Sequence, residues 1–364
     1  MSNLHAVAAA GQSVWSDQIS RRMLDTGELT RRISDDAITG VTSNPSIFAK
    51  AIVGSDDYDE QLEELTSRDA STKEVVGALM TADLQRACDA LAPVWERTEG
   101  RDGHVSVEVD PELAHDTEQS IAEAREWVKR IDRPNLLVKV PATRAGIPAI
   151  AALIGEGISI NVTLIFSLQR YREVMDAYLT GLETFLSVGG DISKVASVAS
   201  FFVSRVDTEV DRRLEEIGSG EALALRGTAA IANALAAYDE FLQVFRGDRW
   251  ERLAAAGGRI QRPLWASTST KNPDYPDTMY VDALVAPHTV NTMPLETIDA
   301  YQDHGSAHPR IFGPAEMATA RVTLRKLEEV GIDYDDVVQV LEDEGVDKFI
   351  GSWQDLLGDI ESQR

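Results

Sequence analysis

Only one cysteine, Cys88, occurs in 364 residues, so no disulfide can form within the chain. It sits in the helical-looking stretch "TADLQRACDALAPVWERT" with no motif around it, and reads as a packed, inert thiol. Positive charge is scarce as well: 35 Lys and Arg stand against 60 Asp and Glu, a formal net charge of −25. Such a field repels polyanions, which argues against nucleic acid and an anionic membrane as partners, and leaves small anions dependent on a few local cations. No apolar run approaches the ~20 residues needed to span a bilayer. The N-terminal "MSNLHAVAAAGQSVW" has neither the basic start nor the long apolar core of a secretory signal, so the expected location is the cytoplasm. The six histidines include no paired H-x-x-x-H, and no metal site is expected. Solenoid repeats, low-complexity tracts and Gly/Ser linkers are also missing, so nothing divides the chain.

What is present is an alternation. Short β-branched segments recur between longer helical patterns: "SVWSDQI" (13–19), "AITGVTS" (37–43), "HVSVEVD" (104–110), "NLLVKVPA" (135–142), "ISINVTLIF" (158–166), "VASVASFFV" (195–203), "RPLWAST" (262–268) and "TMYVDALVA" (278–286). Eight strands joined by helical crossovers predict an α/β chain whose sheet closes into a (β/α)8 barrel of TIM type. Connections 45–103 and 207–258 are long enough for extra helices, and the segment from about 315 to 364 reads as further helices with apolar residues at helical spacing. One barrel domain over 1–364 is the economical expectation. The insertions can build an interface with a second copy or only pack on the barrel, which leaves homo-oligomerisation open.

In such a barrel the active site forms at the C-terminal ends of the strands, so polar residues there are informative. Nearly every predicted strand supplies one: Asp17, Asn44, Glu108, Lys139, Asn161 with Thr163, Ser200 and Ser267. Residues two apart on extended backbone face the same way, which groups Asn161 with Thr163 and Ser200 with Phe202. Each also has a plain structural reading. Asn44 before Pro45 is an ordinary helix start. Glu108 and Asp110 alternate with valines as on any half-exposed strand. Thr163 and Ser200 can satisfy neighbouring backbone, and Asp17 can cap a helix.

The stretch "NLLVKVPAT" (135–143) sets one ammonium in an otherwise apolar strand. A buried cation is costly unless it is paired or neutralised. Lys139 is therefore either held in an ion pair, with Glu108 on the preceding strand as its partner, or its altered protonation serves chemistry. Imine formation needs the neutral amine. A lysine at a reference pKa of about 10.4 is neutral only about once in a thousand near pH 7.4, a handicap of roughly 4 kcal/mol. Burial can lower a lysine pKa by ~3–5 units and remove much of that handicap.

Several segments together resemble the transaldolase family, and the longer bacterial members most. They are "GVTSNPSIFAKAI" (40–52), "VSVEVDPELAHD" (105–116), "NLLVKVPAT" (135–143), "GISINVTLIFSLQRY" (157–171), "SVASFFVSRVD" (197–207) and "APHTVNTMP" (286–294). The resemblance implies that Lys139 forms the imine with a ketose donor and that Asp17, in "WSDQ", takes the proton from the C4 hydroxyl. It implies that Glu108 and Thr163 position a water for the proton transfers, that Asn44, Asn161 and Ser200 meet donor hydroxyls, and that Arg205 receives the substrate phosphate. After the seventh strand the likeness weakens. Many family members carry a serine and then a second phosphate-binding arginine there, whereas "WASTSTKN" offers Ser267 and, after extra residues, Lys271. A lysine supplies the charge but not the bidentate fork. The loop holding His288, Thr289 and Asn291 is expected to support the site.

The activity implied is transfer of a dihydroxyacetone unit from fructose 6-phosphate or sedoheptulose 7-phosphate to glyceraldehyde 3-phosphate or erythrose 4-phosphate, in the pentose phosphate pathway, with no added cofactor. Two rivals remain at this point. One is a lysine-dependent aldolase that releases free dihydroxyacetone, and the other is a non-catalytic barrel that binds sugar phosphates and uses Lys139 only as an ion-pair partner.

Overall fold

The structure, a computed structural model, describes residues 2–68 and 70–363. Eight parallel strands close into a barrel in chain order: β1 Gln12–Ser16, β2 Ile38–Val41, β3 His104–Glu108, β4 Leu136–Pro141, β5 Ile160–Ile165, β6 Ser197–Phe202, β7 Arg262–Ala266 and β8 Thr289–Met293. Every residue of β3 to β8 is buried, because one face fills the barrel and the other lies under the helices. Double burial is why these strands read as near-continuous apolar runs in which a polar residue stands out.

Seven strands lie where the sequence puts them, each ending earlier than expected, with β1 starting one residue sooner. The eighth does not. The segment 278–286 contains helix Met279–Ala283, with Tyr280, Val281, Leu284 and Val285 buried at helical spacing. A short apolar run satisfies helix and strand equally, so periodicity alone cannot separate them. Closure of the barrel decides the matter. "TVNTM", expected as part of a supporting loop, pairs with β1 from Gln12↔Thr289 to Ser16↔Met293 and with β7 at Leu264↔Val290 and Trp265↔Asn291. Its inward polar residues disguise it as a loop.

Extra helices fill the long connections of the barrel. Helices Pro45–Ile52, Asp59–Thr66 and Thr72–Arg97 fall within 45–103, and Ser204–Ile217, Ala229–Val244 and Asp248–Ala255 cover the second. Pro314–Glu329 and Tyr334–Ser362 follow the barrel. The last helix packs against Pro45–Ile52, Thr72–Arg97 and Ser204–Ile217, which carries it across the C-terminal end of the barrel. Gly345 permits the close approach: a Cβ there would lie 3.0 Å from Leu164 Cδ2 and 3.5 Å from Arg205 Nη1. Among the described residues no helix is long and apolar enough to cross a membrane.

At the opposite end Asp102 ties the barrel shut, accepting from Ser13 Oγ and from Trp15 Nε1 at 2.8 Å, with Arg262 3.6 Å away. The Trp15 indole, fully buried, lies flat against Gly40 of β2, where an added Cβ would come within 2.5 Å of the ring. Neither backbone nor indole has room to move. Gly40→Ala is expected to destabilise the fold by about 1–3 kcal/mol, read as a lowered urea midpoint at unchanged slope.

Candidate active site

The C-terminal strand ends open onto a cavity of about 580 Å³. Asp17, Asn44, Lys139, Thr163, Ser200, Arg205, Ser267 and Lys271 line it, and Glu108 and Asn161 are buried directly behind that wall. The ten residues expected to meet substrate therefore converge, although 254 positions separate the first from the last (271 − 17). The register explains the convergence: Glu108 pairs with Lys139 and Lys139 with Asn161, so three consecutive strands present these side chains at one level.

Lys139 is 5% exposed. Its Nζ donates to Glu108 Oε2 at 3.0 Å and to the Ser43 carbonyl at 3.1 Å, with the Phe349 ring centroid 5.5 Å away. Burial pushes the Glu108 carboxyl above its ordinary range, against the opposing pull of Lys139 and Arg205. A hydrogen bond of this length between an ammonium and an acid that resists ionisation is a short path for a proton. The ion pair that the plain reading of Lys139 required is present.

Beside it runs a chain of neutral donors and acceptors. Asn161 Nδ2 donates to Ser106 Oγ at 3.0 Å, and Ser200 Oγ donates to Asn161 Oδ1 at 2.7 Å. Thr163 Oγ1 is buried with no partner among the described residues, which leaves it for whatever occupies the cavity. Its direction depends on a bulge after Val162, where Leu164 takes a left-handed φ of 59° and shifts the pairing of β5 with β6.

Asp17 follows β1, its N–H held by the Met293 carbonyl at 3.0 Å. Its carboxyl is raised to about 6, first by burial and then by the Glu296 carboxylate, while Lys271, Lys139 and Lys50 pull it down. Asn44 keeps its capping role, accepting from the Ile47 N–H at 3.0 Å, while it lines the cavity. Arg205 opens helix Ser204–Ile217, whose first residue is latched to the end of β7: Ser204 N–H donates to the Ser267 carbonyl at 3.0 Å and the two hydroxyls meet at 2.9 Å. Ser267 reaches that position at a left-handed φ of 57°. Lys271 is exposed at the rim and donates to Ser269 Oγ at 2.6 Å.

The supporting trio after β7 divides. Asn291 lies inside the barrel and accepts from Thr268 Oγ1 at 2.8 Å, whereas Thr289 bonds Gln12 at the start of β8. His288 is exposed in a separate cavity at the N-terminal mouth with Arg262. The strand direction of "TVNTM" sends them there. Several cavity residues were not foreseen from the sequence: Lys50, Lys348, Glu296, Thr42 and Thr292. For Lys50 a signal existed, since Ile47, Lys50 and Ala51 share a face at helical spacing after the Asn44 cap. Lys348 had none, because its helix is far along the chain. No carboxylate oxygen lies within 4.0 Å of the Arg205, Lys50, Lys271 or Lys348 head group among the described residues, which gives the mouth a local positive character. Nor does any group of three or more His, Cys, Asp or Glu among them offer a metal site.

Residues 14–360 match the family model of transaldolase/fructose-6-phosphate aldolase. The chain belongs to this family. Transaldolases of Mycolicibacterium smegmatis and Mycobacterium ulcerans are each 56% identical to it, over 99% of this chain and 97% of theirs. That of Mycobacterium tuberculosis is 55% identical over 98% of this chain and 95% of its own. Within this family the cavity described above, with a buried lysine on β4, is where chemistry is to be sought.

Because the Asp17 carboxyl is lifted partly by Glu296, Glu296→Gln should move its titration midpoint below about 6, toward ordinary aspartate values. Carbon-detected NMR of the labelled carboxyl reads this directly, and an unchanged midpoint would remove Glu296 from the account.

Proposed function

We propose that the chain is a transaldolase that moves a dihydroxyacetone unit between sugar phosphates in the cytoplasm, through an imine on Lys139 and with no added cofactor. The observation that carries the reading is the Lys139 amine, buried at a cavity wall and hydrogen-bonded to a carboxyl that resists ionisation. Family membership and near full-length likeness to proteins named transaldolase support the reaction class.

Proton transfer from Lys139 to Glu108 frees the amine, whose lone pair attacks C2 of fructose 6-phosphate or sedoheptulose 7-phosphate. Loss of water from the carbinolamine, with Glu108 and Thr163 handling the proton and the water, gives an iminium. Asp17 accepts the C4 hydroxyl proton as the C3–C4 bond breaks, and the bonding pair moves toward the iminium nitrogen to leave an enamine. The aldose phosphate departs. The three-carbon unit stays tethered until glyceraldehyde 3-phosphate or erythrose 4-phosphate adds to it by the reverse steps, and water finally releases the new ketose from Lys139. Asn44, Asn161 and Ser200 hold donor hydroxyls, Ser267 holds Arg205 in register, and Arg205 faces the phosphate. Proton handling of this kind contributes ~10²–10⁴-fold to rate.

Ionised Asp17 is the working form, so kcat/KM should rise with pH through a midpoint near 6 and be lost below it. A profile flat between pH 5 and 7 would remove Asp17 as the base. Borohydride reduction in the presence of fructose 6-phosphate should leave a dihydroxyacetone-derived mass increment on Lys139. Lys139→Ala should fold yet lose turnover by on the order of 10⁴-fold or more. Absence of the adduct during turnover, or near-normal rates in the variant, would overturn the imine. Product analysis without an acceptor separates transfer from an aldolase, which would release free dihydroxyacetone at the same rate as it consumes donor.

A further inference from the structure

The second phosphate cation expected after β7, Lys271, sits in an irregular loop and spends its amine on Ser269. The last helix brings a better-placed group to the same cavity. Lys348 lines it opposite the strand ends, and Lys348 lies between two residues that pin the helix to the barrel. On one side Gly345 brings the backbone against Leu164 and Arg205, and on the other the buried Phe349 ring lies 6.0 Å from the Arg205 guanidinium and 5.5 Å from Lys139 Nζ.

We propose that the substrate phosphate is held between Arg205 and Lys348, so that helix Tyr334–Ser362, and not the loop after β7, completes the phosphate subsite. The inference rests on the transaldolase reading for the identity of the phosphate. Its geometry is that of two cations from separate elements facing one cavity, with no carboxylate within 4.0 Å of either head group among the described residues. Arg205 is the foremost of the influences holding the Lys348 ammonium below its ordinary range, ahead of burial, Lys271 and Lys50. Like charges held in that relation repel until a dianion comes between them, and the relief of that repulsion adds to binding. Arg205 supplies the planar fork and Lys348 the compact point charge. Arg205 also lies in the first turn of helix Ser204–Ile217, whose dipole favours an anion at the same spot.

The test compares Lys348→Gln, Lys348→Arg and Lys271→Gln, none of which removes a buried side chain. Calorimetric Kd for inorganic phosphate and KM for fructose 6-phosphate should each rise roughly ten- to a hundredfold in Lys348→Gln. Its kcat should change little, and borohydride trapping of unphosphorylated dihydroxyacetone on Lys139 should be as in the wild type. Lys348→Arg should recover most of the loss, and Lys271→Gln should stay within about threefold of wild type on every measure. Wild-type Kd and KM in Lys348→Gln, or a larger effect from Lys271→Gln, would overturn the assignment. Phosphate binding needs no turnover, so the two claims fail separately. A wild-type chain without a Lys139 adduct, but with phosphate binding that depends on Lys348, would defeat the reaction and leave the subsite standing.

Discussion

The 3.0 Å hydrogen bond between Lys139 and Glu108 is the interaction around which the rest of the molecule is arranged. Two opposite charges taken out of water are tolerable only as a pair with good geometry, and removing either partner strands the other. Parallel pairing of β3 with β4 in a fixed register delivers that geometry, since a slip of one strand by one residue would turn its side chain to the outer face and part the pair. The barrel is therefore the means by which an amine and an acid are forced together in a dry interior. Burial raises the acid, and the acid accepts from the amine without any change in the backbone.

A second constraint is electrostatic. A chain with a net charge of −25 must still admit anionic sugars, and it does so by gathering Arg205, Lys50, Lys271 and Lys348 around one opening, where they outnumber the Asp17 and Glu296 carboxyls. Asp17 sits on the boundary between the two regimes. Burial and Glu296 lift it, three lysines lower it, and the balance near 6 leaves it ionised at neutral pH yet a stronger base than an ordinary aspartate. The last helix contributes to this field as well as to packing, because Gly345 lets it approach and Phe349 lies over the Lys139 amine.

Much of this was legible in the residues. Strands buried on both faces are short and apolar, so β3 to β6 announce themselves, and Lys139, Glu108, Asn161 and Ser200 stand out against that background. Where the signal failed, a physical cause is evident. "TMYVDALVA" has strand-like composition but helical burial, and "TVNTM" carries polar groups that bond to Gln12 on β1 and to Thr268 just past β7, its two neighbours in the barrel. Glu296 and Lys348 sit on amphipathic helices, where a charge is the ordinary content of an exposed face and carries no mark of what it faces.

What the sequence determined by itself is the kind of fold and the short-range facts: alternation of strand and helix, which residues sit at strand ends, the cap at Asn44, and a lysine that burial must pair or neutralise. These depend on neighbours a few residues apart, and such neighbours are visible in a linear text. Only the tertiary structure decided which strand closes the barrel, that Ser43 offers its carbonyl to Lys139, and that Lys50 and Lys348 share a cavity with Arg205. Those relations join segments up to some three hundred positions apart, and no local periodicity encodes them. They exist because closing a sheet and burying its faces leaves each helix one place to lie.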